Sequence, residues 1–204
     1  MLKLPFSALA LLSLSAALPA ATLTDQSAFV AQLTPGYSLE TFDSLTYGLH
    51  DALTFGNGTY SYTVTSTATD YQPLWAGSLN SDPFLGAAGQ ATAALVLTFT
   101  SPVTAVGGYF FMTDSDDNLV TGTLTLNLSD GTTVELTDPP ATTFRGFTSS
   151  TPITSLTIQG TNYASMDDLY VGSAAAGTAT PEPASLLLAA AGALGLALVK
   201  FRRA

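Results

Sequence analysis

Apolar and polar positions alternate with a period of two through most of the middle of the chain. The clearest run spans 120–128, where Leu124, Leu126 and Leu128 share one face and Thr123, Thr125 and Asn127 the other. Tyr60, Tyr62 and Val64 alternate in the same way with Ser61, Thr63 and Thr65, inside a strand region over 47–67 that Gly56-Asn57-Gly58 interrupts. Strands are predicted over 37–42, 93–100, 103–112, 132–136, 143–148, 153–159 and 163–171. Pro102 separates two of them, and Pro139-Pro140 ends another. Asp130-Gly131 predicts a primed hairpin turn, and Gly107-Gly108 a bulge or a close approach. One stretch has helical spacing: Phe29, Val30 and Leu33 form an apolar face over 27–33, capped by Thr24 or Asp25 and stopped by Pro35-Gly36. Residues 69–89 read as a loop whose Trp75, Leu79 and Phe84 cover one end of the core. Strands recurring about every 8–12 residues, with turn signals between them and no βα alternation, predict an all-β fold. The expected form is an antiparallel β-sandwich, jelly-roll-like, with one short N-terminal helix.

The two ends follow other rules. Residues 1–21 place Lys3 before an apolar stretch over 4–18 and small residues at Ala16, Ala17, Ala20 and Ala21, the pattern of a secretory signal peptide. Its cleavage bond is ambiguous, because Leu18 and Pro19 interrupt a small-x-small motif. At the other end come Pro181, Glu182 and Pro183, then an uncharged apolar run over 184–199, then Lys200, Arg202 and Arg203. The prolines keep a helix from starting upstream. The run makes roughly 24 Å of helix, near enough to a hydrocarbon core of about 30 Å for snorkelling cations to close the gap. The basic end stays cytoplasmic.

This block resembles the PEP-CTERM sorting signal of exported bacterial proteins. The resemblance implies recognition by exosortase, a membrane protease-transferase that cuts near Pro181-Glu182-Pro183, and a C-terminal transmembrane helix that holds the protein in the inner membrane before processing. The domain plan is then a signal peptide over 1–21, a β-sandwich over 22–172, a linker over 173–180 and the sorting signal over 181–204. The body is also similar to the globular part of such proteins, at Phe29, at Leu39-Glu40-Thr41-Phe42, at Phe144-Arg145-Gly146-Phe147 and over 165–172. That last stretch is similar to the closing strand of extracellular carbohydrate-binding jelly rolls. There an Asp-Asp-apolar pattern meets an early Glu around a structural calcium, which by resemblance would be Glu40, Asp167 and Asp168.

Charge narrows the function. Between residues 22 and 180, Arg145 is the single cation against fourteen acids, leaving that part about thirteen negative charges. Such a surface repels phosphates, so nucleic acid is excluded as a partner, and it attracts calcium. The chain has no cysteine, hence no disulfides and no thiolate chemistry. Neighbours along a strand face opposite ways, so Asp167 is expected inward with Leu169 and Val171, and Asp168 outward with Tyr170. Alternate oxygens at Asp114 and Asp116, in the acidic loop over 113–118, are a second calcium candidate, though the loop lacks the glycine and later Glu of an EF-hand. His50 is the only histidine, no Gly-x-Ser-x-Gly occurs, and the protein is expected not to be an enzyme. Arg145 is expected to pair with a carboxylate. Trp75 with Tyr71 is a candidate sugar-stacking platform. The functional expectation is an exported, non-catalytic surface or matrix protein that uses the secretion machinery and exosortase and is linked to exopolysaccharide in biofilm. A carbohydrate-binding module delivered by the same route is the alternative, and a secreted glycosidase a third reading.

Overall fold

A computed structural model describes residues 20–69 and 73–176. The expected signal-peptide helix, the terminal transmembrane helix and Tyr71 lie outside them. Among the described residues no helix is long and apolar enough to cross a membrane. In chain order the elements are β1 (Ala21–Leu23), α1 (Gln26–Val30), β2 (Ser38–Glu40), β3 (Gly48–His50), β4 (Leu53–Gly56), β5 (Ser61–Ser66), β6 (Leu74–Leu79), β7 (Asp82–Ala87), β8 (Leu95–Thr113), β9 (Thr123–Leu128), β10 (Thr133–Thr137), β11 (Phe144–Gly160) and β12 (Tyr163–Gly172). Every strand pairing is antiparallel, and the all-β expectation holds.

Two long strands, β8 and β11, turn one hydrogen-bonded sheet into two layers. Residues 95–99 of β8 pair with β5 on one side and with residues 155–158 of β11 on the other; residues 103–113 pair with the front of β11 and with β12. The register slips between Thr148 and Ile153 and again before Ser155. Pro102 and Pro152 sit exposed at this corner, where the ladder is already broken and a missing N–H does little harm. The sequence reading divided each of these strands in two; the chain bends at the prolines instead of ending there. The first layer runs β4-β5-β8-β11-β9-β10, and the second runs β3-β6-β7-β12-β8-β11 with β1 on β11 and β2 beside β12. Their inner faces share one core: Tyr62, Val64, Leu97, Leu124, Leu126 and Ile158 from the first, Leu85, Phe110, Met112, Phe147, Met166 and Leu169 from the second. Each fully buried side chain of this size contributes about 1.5–3 kcal/mol.

The outer face of the second layer is covered as well. Asp25 caps α1 by accepting from the Ala28 amide at 2.7 Å. The helix drops Phe29, fully buried, onto β8 and β11 beside Phe144 and Tyr170. The sheet is bare beneath it: a Cβ on Gly146 would overlap the Phe29 ring, and one on Gly107 would lie 2.9 Å from Phe29 Cε1. Gln26 ties helix to sheet, accepting from the Tyr109 hydroxyl at 2.9 Å and donating to the Tyr170 hydroxyl at 2.6 Å.

The structure corrects three local expectations. The expected loop over 69–89 instead contains a hairpin, formed by β6 and β7. Asn80 (φ 54°) and Ser81 (φ 69°) make its primed turn, and Gly77 and Gly86 leave room for Phe84 and Ser165 rather than breaking strands. The Asp130-Gly131 turn is not primed; Gly131 alone is left-handed (φ 93°), which suits a type I turn with a following bulge. In β12 the register slips between Asp167 and Tyr170, with Asp168 at φ 47°. Ala164 and Met166 face the core before this bulge, and Leu169 and Val171 after it. Asp167 therefore lies on the outer face rather than with Leu169 and Val171.

Candidate functional site

At the β3 end of that outer face lies a groove of about 130 Å³, lined by Leu49, Trp75, Ala87 to Gly89, Thr113, Asp114, Ser115 and Tyr163. Trp75 is half-buried and held from behind. Its indole N–H donates at 2.7 Å to Oδ1 of Asp117, whose Oδ2 accepts the Ser78 amide at 3.2 Å. Asp117 is buried, with φ 62°, a conformation that Asp adopts more readily than most residues. Gly77 makes space for it, since a Cβ there would lie 2.8 Å from Asp117 Oδ1 and overlap the Phe84 ring. Tyr47 packs edge-on against Trp75, with centroids 4.9 Å apart and planes at 73°. A hydrogen bond to Asp117, then lost hydration and the charges of Asp117 and Asp116, push the Tyr47 hydroxyl above its ordinary pKa. Tyr47 and Leu49 are nevertheless 64% and 49% exposed, an apolar rim left in water beside the groove.

The loop over 113–118 forms one wall. Asp114 Oδ1 accepts the Asp116 and Asn118 amides, each at 2.9 Å, and these bonds hold its carboxyl below the usual range. Asn118 Nδ2 donates to Oδ2 of the same carboxylate at 3.2 Å. Asp114 thus serves its own loop, and Asp117 turns inward to Trp75. Among the described residues no three His, Cys, Asp or Glu side chains gather to hold a metal ion. The carboxylates at 114, 116 and 117 do not converge as the 6–8 oxygens of a calcium site would.

A larger hollow of about 490 Å³ opens on the same face between the groove and α1, with Asp82, Phe84, Tyr109, Phe111, Asp167 and Asp168 among its walls. Burial pushes the Asp167 carboxyl up to about 7; the Asp168 amide, donating to it at 2.7 Å, opposes the shift, while the charges of Asp168, Asp82 and Asp43 add to it. Asp168 moves up for the same reasons, burial first. Glu40, expected beside this pair, does sit opposite Leu169 in the ladder. Its Oε1 accepts the Phe42 amide at 3.0 Å and so steadies a buried phenylalanine at φ 57°.

Arg145 departs from expectation. Its Nη1 donates to the Phe144 carbonyl at 2.7 Å, and it forms no ion pair among the described residues. His50 meets the Thr46 carbonyl at 2.6 Å, within its own turn. Of the proposed stacking pair, Trp75 lines the groove, and Tyr71 lies outside the described residues. The sequence reading missed Asp117 as the anchor of the indole and Tyr47, Leu49 and Tyr163 as its surroundings. One signal was available: Tyr47 and Leu49 flank Gly48 with strand spacing but no buried partner implied.

Comparison with known proteins adds the chain's end. The family model described as "PEP-CTERM protein-sorting motif" matches residues 179–203, which lie beyond the described ones. No curated protein matches the chain. Among solved structures it is similar to a family 6 carbohydrate-binding module whose binding sub-sites were dissected by crystallography and calorimetry, at 10% identity over 67% of this chain and 94% of that one, TM-score 0.35. It is also similar to CsCBM6-3 from Clostridium stercorarium, solved with cellobiose, at 14% identity over 64% of this chain and 99% of that one, TM-score 0.31. Likeness at this level carries no ligand to this chain. The terminal block, by contrast, is matched directly: the chain carries a PEP-CTERM protein-sorting motif, the mark of an exported protein.

Proposed function

We propose that the chain is an exported, non-catalytic surface or matrix protein that exosortase sorts at Pro181-Glu182-Pro183 and that resides among extracellular polysaccharides. The inner membrane holds it until processing. The sorting motif carries this reading. Its placement fits: β12 ends at Gly172, Ala174 still bridges to Leu33, and the motif begins at residue 179. A cut there leaves every described strand intact. The non-catalytic part of the reading draws on His50, the chain's one histidine, which is engaged within its own turn.

Intact-mass analysis of the exported form tests it. Both ends should be missing in cells with exosortase, and the C-terminal block retained when exosortase is deleted. Retention of Lys200 to Ala204 in both strains would refute the sorting step. The groove at Trp75 favours a second reading with the same delivery, a carbohydrate-binding module, for which retention on immobilised glycans is the test.

A further inference from the structure

We propose that the Trp75 groove is a subsite for one uncharged pyranose ring of a longer glycan, seated against the indole. The inference rests on the carbohydrate-binding reading and names its site and ligand class. The indole has a single donor, and Asp117 takes it, so Trp75 offers the groove only its aromatic surface. A ring locked from behind by Asp117 and from the side by Tyr47 loses little freedom when a ligand covers it. The apolar rim at Leu49 and Tyr47 extends that surface.

The opposite wall suits hydroxyls. Ser115 is exposed, and Asp114 Oδ2 meets only the Asn118 amide nitrogen at 3.2 Å, which leaves it free to accept from a sugar. Size limits the occupant: about 130 Å³ is well below the roughly 300 Å³ at which drug-sized pockets begin, so one ring is held and the rest of the chain runs over the surface.

Charge sets the class. Asp114, Asp116 and Asp117 lie in the adjoining loop. Arg145, the one Lys or Arg among the described residues, lines a different hollow with Glu135 and Thr143. Among the described residues, no cation lines the groove to bind a uronate carboxylate or a sulfate, whose recognition calls for a cationic fork. An anionic glycan would be repelled by the body's charge as well.

The chain has one tryptophan, so its emission reports on this groove alone. The exported, processed protein is titrated with cellohexaose, laminarihexaose and mannohexaose, with polyguluronate as the anionic probe. At least one neutral hexaose should shift or quench the emission, and polyguluronate should not. Leu49→Ser, at an exposed position, should weaken binding severalfold with the melting temperature unchanged; Trp75→Phe, followed by affinity electrophoresis, should weaken it about tenfold. Glycan retention with unmoved Trp75 emission and unaltered variants would overturn the groove while leaving the carbohydrate reading intact. Binding by no neutral hexaose and no retention on any glycan would remove both. A preference for polyguluronate would overturn the uncharged class.

Discussion

Asp167→Asn isolates the cost of burying a charged carboxylate, and of setting it beside other carboxylates, on the outer sheet face. Asp167 shares its hollow with Asp168 and Asp82, feels the charge of Asp43, and has its carboxyl pushed up to about 7 from an ordinary value of 3.8. Because the folded value is the higher one, the fold holds the proton more tightly than the unfolded chain does. Stability from this group is complete below the unfolded pKa near 4 and is lost as pH rises through about 7. Three units would correspond to about 4 kcal/mol for a fully enclosed group. Asp167 is only half-buried, and solvent screening reduces this to about 1–2 kcal/mol. Asparagine keeps the oxygen that accepts the Asp168 amide at 2.7 Å and removes the charge. Urea unfolding followed by far-ultraviolet circular dichroism at pH 4, 6 and 8 is the assay. The variant should match the parent at pH 4, exceed it by about 1–2 kcal/mol at pH 8, and show a shallower fall between them. An unchanged pH slope, or a variant less stable at pH 8, would refute the reasoning.

Three further outcomes follow from packing and pairing. Gly146→Ala drives a methyl group into the Phe29 ring and should lower stability by about 1–3 kcal/mol, with Phe29→Leu recovering part of the loss in a double-mutant cycle measured by urea unfolding. Tyr62→Phe removes a buried hydroxyl that has no hydrogen-bond partner among the described residues and that burial pushes well above its usual pKa, so thermal unfolding should show no loss or a gain of about 1 kcal/mol. Asp117→Ala frees the indole and strands the Ser78 amide; a cost of about 2–4 kcal/mol and a red shift of Trp75 emission are expected, whereas Asp117→Asn should cost less because its amide oxygen still accepts from the indole and Asn tolerates φ 62°.

The parts of this protein visible in its sequence are those where one side of a strand meets the core and the other meets water. Leu124, Leu126 and Leu128 alternate with half-buried polar residues in β9 just as the pattern predicts. Where both faces are covered, alternation fades. β6 and β7 lie under the Asp117 loop on one side and against the core on the other, and their glycines mark contacts with Phe84 and Ser165 that only the three-dimensional structure reveals. Pro102 read as a break between strands for a related reason: a proline ends a strand or sits where a ladder is already open, and the difference depends on pairing partners far along the chain. A single-residue bulge was enough to reverse the side on which Asp167 lies.

The candidate site was half legible on the same grounds. Trp75 stood out by residue type, but its anchor is 42 positions away and its rim is Leu49, on a strand three residues long, with Tyr47 just before it. Asp117 looked like one member of an acidic loop waiting for a cation; the fold instead gives it an indole N–H, a backbone amide and a nearby phenol. This pairing with protein donors satisfies the buried Asp117 carboxylate beneath the loop. It also predicts where the loop is weakest. Asp116 is exposed and makes no such bond through its side chain, so Asp116→Asn should leave thermal unfolding within about 0.5 kcal/mol of the parent, the usual range for surface changes. A loss comparable to that of Asp117→Ala would mean that the loop is held by the convergence of its charges on a cation rather than by the donors seen at Asp117.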